Sequence, residues 1–342
     1  MLIRIFNRLL CGLLATGLAM ACTAVQAQTP RDMKLVLDWT WQGNHAFFTL
    51  ADDNGHFGRE GLRVKIDRGF GSGDTIAKVA AGTYDIGFGD VNLLVPFNAK
   101  NPDNKVICVM MLLDGSLNAI VARTSSGIRS PKDLEGRKIA APVNDNSRLL
   151  FPIFARANGV DESKINWLSV QPNVRDGLLV RGETDAVASV YTSTLLALEA
   201  LGISRNDLVM LRYSEFGADL YGMGLMVSEK FLDATPAAVR AFLRATLRGT
   251  RDTFADTRGA IASLRKRDSL LSEATELSRL EMIRDLAVLT RSVKANGLST
   301  VDPARLERTI GFVAQSMGVA NPPAPRDVFR GDYLPALADR RF

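Results

Sequence analysis

The residues best able to do chemistry crowd into one stretch. Residues 37–62 read LDWTWQGNHAFFTLADDNGHFGREGL and hold two of the three tryptophans and both histidines of the 342-residue chain. Asp38, Trp39, Asn44 and His45 supply a carboxylate, a flat apolar ring, an amide and an imidazole. Such groups stack on a ring and exchange hydrogen bonds with it. An apolar run over 34–37 precedes them, and the spacing predicts a helix over 46–53 that closes at Asn54 and Gly55. A strand end, a polar-aromatic loop and a helix N-terminus, in that order, present side chains and free backbone N–H groups to a ligand. One aromatic alone would read as core packing; the cluster reads as a pocket wall.

Two more strand-end loops join this one. Residues 62–66 alternate and read as a half-buried strand, followed by the glycine-rich loop 69–73 and a helix over 74–81 stopped by Gly82. Residues 84–89 form the next strand, ending at Asp90, where another helix begins. Three strand-then-helix units call for a parallel sheet with covering helices. Right-handed crossovers bring the loops 38–44, 69–74 and 90–92 to one sheet edge.

Strands over 106–113 and 117–122 follow, and after Arg123 the texture repeats. A capped turn at 130–136 leads to strands at 137–143, 165–170, 185–190 and 208–213. Between them lie helices at 148–158, with Ser147 as N-cap, at 174–181 and at 194–201, capped by 191–193. This is a second lobe, 124–219, inserted into a first lobe formed by 28–123 and 220–342, with 221–228 as the returning strand. From Pro236 the chain is mainly helical, over 237–254, 260–267, 273–294 and 303–317, and the charges on these amphipathic helices read as solvated faces. An irregular tail from Asn321 is expected to pack along a lobe.

Residues 1–27 read as a secretory signal peptide. Arg4 and Arg8 precede an apolar run over 9–20, and Val25 and Ala27 stand three and one before a cut. The run is too short for a membrane span. Cys22 invites lipid attachment, but Leu18 lies one place too far from it and Met20 fits poorly, so a soluble exported form is expected. Cys108 then remains alone in an apolar run, a buried small hydrophobe rather than half of a disulfide. Without Arg4 and Arg8 the formal charge falls from +5 to +3. The densest basic group, Arg265 to Arg267, has no interleaved aromatics, so nucleic acid is not expected. There is no GxxxxGK[ST], HExxH or GxSxG, the loop 69–73 lacks dinucleotide spacing, and His45, His56 and the aspartates lack ligand-like spacing for zinc. No catalytic residue, cofactor or metal is assigned.

Four segments carry a resemblance: LDWTWQGNHAFFTLADDNGHFGREGLRV, GFGSGDTIAKVAAGTYDIGFGDVN, SPKDLEGRKIAAPV and DLYGMGLMVSEKFL. They make the chain similar to the type II periplasmic solute-binding proteins of the nitrate, sulfonate and thiamine-precursor family that serve ABC transporters, the thiamine-pyrimidine branch in particular. The resemblance implies an α/β fold of two doubly wound lobes joined by a two-strand hinge, a monomer in the periplasm, and a membrane permease and ATPase as partners. It places the ligand at Asp38, Trp39, Asn44, His45, Gly71, Ser72, Gly73 and Asp90. Loop position adds Asn144, Asn146, Ser147, Tyr191 and Glu215 across the cleft. Where such relatives commonly have a proline, this chain has Trp41.

One enzyme shares the fold family, the fungal synthase that builds the thiamine pyrimidine from its own histidine. It resembles this chain at Asn44 and His45, but its cysteine-rich motif has no counterpart here. Nitrate and sulfonate accept hydrogen bonds only, so a site for them wants arginine or lysine. The strand-end loops instead carry Asp38, Asp74, Asp90, Asp145 and Glu215, with Arg148 and Arg175 as the nearest cations. That balance favours a neutral or weakly cationic nitrogen heterocycle such as an aminopyrimidine, sandwiched by Trp39 and Tyr191. Sulfonate, nitrate, riboflavin or an aromatic acid is the alternative solute.

Overall fold

Two five-stranded sheets organise the protein, whose computed structural model describes residues 29–342. The expected signal peptide and Cys22 lie outside the described residues. The first sheet holds β1 (Arg31–Val36), β2 (Leu62–Asp67), β3 (Ile86–Asp90), β4 (Val106–Met111) and β10 (Met223–Ser228), in the order β2-β1-β3-β10-β4. The second holds β5 (Asn118–Arg123), β6 (Lys138–Ala141), β7 (Asn166–Ser169), β8 (Ala186–Val190) and β9 (Leu208–Arg212), in the order β7-β6-β8-β5-β9. The two orders are equivalent. In each, the fourth strand runs antiparallel to its neighbours and comes from the segment that crosses between lobes.

This corrects the lobe boundary drawn at 124. Strand β5 pairs with β8 and β9, so it belongs to the second lobe, and the first crossing runs through 112–117 rather than at Arg123. The return crossing pairs with it. Leu113 N–H donates to the Met223 carbonyl (2.8 Å), Gly222 N–H to the Leu113 carbonyl (3.1 Å), and Ser116 N–H to the Leu220 carbonyl (3.0 Å).

Helices cover both sheets. The first, α1 (Ala46–Asp53), buries Phe47, Phe48, Leu50 and Ala51 against α8 (Pro236–Ala255). Its last turn ends in Asp52 and Asp53, charges that oppose the helix dipole. Lys266 and Arg267, just after α9 (Thr257–Arg265), pair with them at 2.8–3.1 Å. The basic triplet is therefore partly spent inside the fold.

Several helices depart from the sequence reading. Ser147 does not cap: Asp145 does, accepting the Ser147 N–H at 2.8 Å, and the helix divides into α4 (Asn146–Leu149) and α5 (Phe151–Ala157) around Leu150, just ahead of Pro152. Helix α7 begins at Tyr191 and runs to Ala200, three residues earlier than expected. The long helix over 273–294 is instead α10 (Glu273–Ile283), a wide turn over Arg284–Val288, and a short helix at Arg291–Asn296. Further helices are α2 (Ser72–Ala80), α3 (Leu94–Lys100), α6 (Arg175–Val180) and α11 (Pro303–Ser316). The tail covers the free edge of β4, where Cys108 N–H donates to Val328 and Arg330 N–H to Cys108, both at 2.9 Å. Cys108 itself is fully buried, as its apolar strand implies. Among the described residues no helix is long and apolar enough to cross a membrane.

Candidate ligand-binding site

The loops at the carboxyl ends of β1, β3, β6 and β8 converge with the two crossings on one cavity between the lobes. Measured to water centres it is about 30 Å³, space for roughly two or three waters. Its lining includes Asp38, Trp39, Gln42, Asn44 and Asp90 from the first lobe and Asn118, Asp145, Asn146, Arg175 and Ser193 from the second. Ser116, Gly222 and Met223 of the crossings form its floor.

Backbone geometry sets the chemistry of the first wall. The Gln42 N–H donates to His45 Nδ1 at 3.1 Å, so this nitrogen is the acceptor and the proton sits on Nε2. Nε2–H then donates to Asp38 Oδ1 at 3.0 Å. His45 is fully buried behind Asp38 and does not line the cavity. Asp38 Oδ1 takes the His45 hydrogen bond, and the buried Asn44 Oδ1 has no partner among the described residues. Asp38, Trp39 and Asn44 thus line one wall together.

Asp90 closes the β3 end. Its Oδ1 accepts the Asn92 N–H (3.1 Å) and side-chain amide (2.7 Å), a helix-capping role. Its Oδ2 accepts from the second lobe, from Asn118 Nδ2 at 3.1 Å and Asn146 Nδ2 at 3.3 Å. Burial pushes its carboxyl up to about 6, against the amide hydrogen bonds that pull it down. Ser72 lies behind, its Oγ accepting the Asp90 N–H at 3.0 Å, and Ser147 supports Asn118 Oδ1 at 3.0 Å.

Arg175, on α6, is the cation of this cavity. It donates to Asp176 (3.0 and 3.3 Å), Thr194 Oγ1 (2.7 Å), Asp145 Oδ2 (3.4 Å) and the Ala188 carbonyl (3.5 Å). Burial opposes its charge, and Asp176 with Asp145 more than restores it. Its guanidinium lies 5.2 Å from the Trp39 ring centre, a cation–π contact across the cleft.

The expected residues therefore divide. Asp38, Trp39, Asn44, Asp90 and Asn146 line the cavity, while His45, Ser72 and Ser147 stand one layer behind it. Gly71 and Gly73 meet the Asn144 backbone instead, where Gly73 N–H donates to the Asn144 carbonyl at 3.2 Å. Gly71 has φ +117°, and a Cβ there would come within 2.2 Å of that carbonyl oxygen, so the lobes touch through a position only glycine fills. Tyr191 packs under Arg212, 5.4 Å from its ring centre, and Glu215 pairs with Arg212 on the exposed side. The pairing of Trp39 with Tyr191 is not formed; Arg175 takes that place. Asp74 pairs with Lys78 at 2.7 Å and also lies off the cavity.

Sequence reasoning missed Gln42, Asn118 and Ser193, and with them the Ser193-to-Gln42 hydrogen bond (2.8 Å) that spans the lobes. It also missed Glu276 and Arg279, buried on α10 beside Ile283, which lines the cavity. The available signal was a charged pair inside the i, i+3, i+4, i+7 stripe of a helix whose other members, Leu280 and Ile283, are apolar. Among the described residues, no group of three or more His, Cys, Asp or Glu side chains is placed to hold a metal ion.

A family model described as NMT1/THI5 like matches residues 42–260. The chain belongs to this family. Within reach of it is the formylaminopyrimidine-binding protein of Halalkalibacterium halodurans, 25% identical over 231 residues, 66% of this chain and 68% of that one. The 4-amino-5-hydroxymethyl-2-methylpyrimidine phosphate synthase of Aspergillus parasiticus is 24% identical over 266 residues, 75% of this chain and 76% of that one. The family thus spans binding proteins and synthases. Among solved structures, the alkanesulfonate-binding protein SsuA of Xanthomonas axonopodis pv. citri superposes with a TM-score of 0.66 at 16% identity, covering 87% of this chain and 96% of that one. The fold is the periplasmic-binding-protein fold, in two lobes.

Proposed function

We propose that this protein is the exported solute-binding component of an ABC importer and that it captures an aminopyrimidine-like nitrogen heterocycle between its lobes. One observation carries the choice of solute. The lining carries the carboxylates Asp38, Asp90 and Asp145 and, in Asn44 Oδ1, an acceptor without a partner among the described residues, whereas the lining cation, Arg175, already donates all its N–H groups within its own lobe. A ring carrying amino groups satisfies those acceptors; a sulfonate or nitrate would leave them bare and bring a further negative charge beside Asp38, Asp90 and Asp145. The two relatives named for pyrimidine chemistry support the same class. A ring is larger than the cavity as it stands, so lining side chains shift to admit it while the lobes stay in contact. In this reading the protein works as a periplasmic monomer that hands its solute to a membrane permease and ATPase.

Calorimetry against 4-amino-5-hydroxymethyl-2-methylpyrimidine and against an alkanesulfonate tests the reading. Micromolar or tighter binding of the pyrimidine alone is expected, and tight binding of the sulfonate alone would overturn it. The synthase relatives make a second outcome measurable. Were His45 consumed as a precursor, incubation with iron would lower the intact mass of the protein. The two hydrogen bonds holding His45 behind Asp38 favour an unchanged mass.

A further inference from the structure

The pair Glu276–Arg279 lies outside residues 42–260, and the capture described above makes no use of it. Both residues are buried, 4% and 5% exposed. Arg279 grips Glu276 twice, Nε to Oε2 at 2.9 Å and Nη2 to Oε1 at 3.2 Å. Each partner then makes one bond away from α10. Glu276 Oε2 accepts the Gly43 N–H at 2.7 Å, at the head of the turn that carries Asn44 and His45. Arg279 Nη1 donates to the Thr192 carbonyl at 2.9 Å, in the first turn of α7 on the opposite lobe. The turn is pressed hard against this helix, since a Cβ on Gly43 would lie 2.6 Å from the Glu276 carbonyl oxygen. Desolvating an ion pair this deeply costs about what the pair returns, so burial of the pair contributes geometry more than stability.

We propose that Glu276 and Arg279 are positioning residues that latch the lobes. Glu276 fixes the turn bearing Asn44, and Arg279 takes the Thr192 carbonyl only when the lobes meet. The inference rests on the reading that a solute is held between closing lobes, and it adds where the rate of release is set. When the lobes part, Arg279 loses Thr192 but keeps both bonds to Glu276, so neither charge is left alone. A bond present only in the closed form slows opening without changing encounter, and its loss falls on the release rate.

Two variants isolate it. Arg279→Lys keeps a charge for Glu276 but loses the fork geometry. The double variant Glu276→Gln with Arg279→Met keeps an acceptor for Gly43 and removes the cross-lobe donor with no unpaired charge. Stopped-flow fluorescence with the aminopyrimidine is expected to give release about tenfold faster in both, with association within about twofold of the parent. In the ligand-free proteins, spin labels at Lys65→Cys and Lys132→Cys, exposed sites on the two lobes, should report a distance distribution shifted toward the longer, open separation. Release rates and distances equal to the parent in both variants would overturn the latch, as would failure of both to fold, which would assign the pair to the core of the first lobe. If the parent itself binds no pyrimidine, the proposed solute fails, and the ligand-free distances still decide the latch.

Discussion

Asp90 and Asp145 face one cavity from opposite lobes and are held in opposite ways. Both are buried, and burial pushes both carboxyls up from their ordinary value. Asp145 has Arg175 of its own lobe beside it and caps its own helix. Asp90 caps its own helix too, but half of its hydrogen bonds come from Asn118 and Asn146 of the other lobe. The surroundings of Asp145 are complete before the lobes meet; those of Asp90 are completed by closure. One carboxylate belongs to the scaffold and the other senses the cleft.

Four substitutions break or sharpen that contrast. The largest effect is expected from Arg175→Leu, which strips Asp145 and Asp176 of their cation and should cost about 3–5 kcal/mol of stability in denaturant unfolding of the ligand-free protein. A loss under about 1 kcal/mol would mean that the cluster is hydrated and not part of the scaffold. Gly71→Val acts on closure instead. Its side chain meets the Asn144 carbonyl when the lobes touch, so affinity for the pyrimidine should fall at least about a hundredfold, roughly 2.7 kcal/mol. This comes on top of the about 1–3 kcal/mol of ligand-free stability that a side chain at this positive φ costs. Unaltered affinity would show that the bound form leaves this contact open.

Trp39→Ala removes the ring opposite Arg175 and is expected to weaken binding about tenfold while sparing ligand-free stability. A large stability loss with little change in affinity would return Trp39 to the core. The smallest effect concerns Asp90 and pH. Folding with closed lobes raises its pKa, so the closed protein binds this proton more tightly than the unfolded chain. Its contribution therefore improves as pH falls through about 6 and is complete below the ordinary value of 3.8. Unfolding free energies from pH 7 to pH 4, parent minus Asp90→Asn, should move in favour of the parent over that window. A flat difference would place Asp90 in water, with the lobes standing open in the resting protein.

The alternation of strand and helix, the edge on which the loops gather and most strand limits were legible in the sequence, because period and turn residues are local properties. Side-chain direction was not. Starting α7 at Tyr191 instead of Thr194 turns the helix by three residues, which takes Tyr191 to Arg212 and brings Ser193 to Gln42. Asn118 was hidden for another reason. It opens a strand that reads as a continuation of the first lobe, and only its pairing with β8 and β9 moves it across. Glu276 and Arg279 were taken for solvated charges because nothing in a single helix reveals which partner will cover it.

The placement of β10 has a consequence for how the chain comes to be folded. The second sheet is drawn from one contiguous run, β5 to β9, whereas the first leaves a gap between β3 and β4 until β10 arrives more than a hundred residues later. A chain emerging from its N-terminus can therefore complete its middle before its beginning, with β3 and β4 exposing unpaired edges in the interval. Pulse-labelled hydrogen exchange during refolding should protect the amides of β6 and β8 before those of β3, and the reverse order would mean that the two sheets condense together.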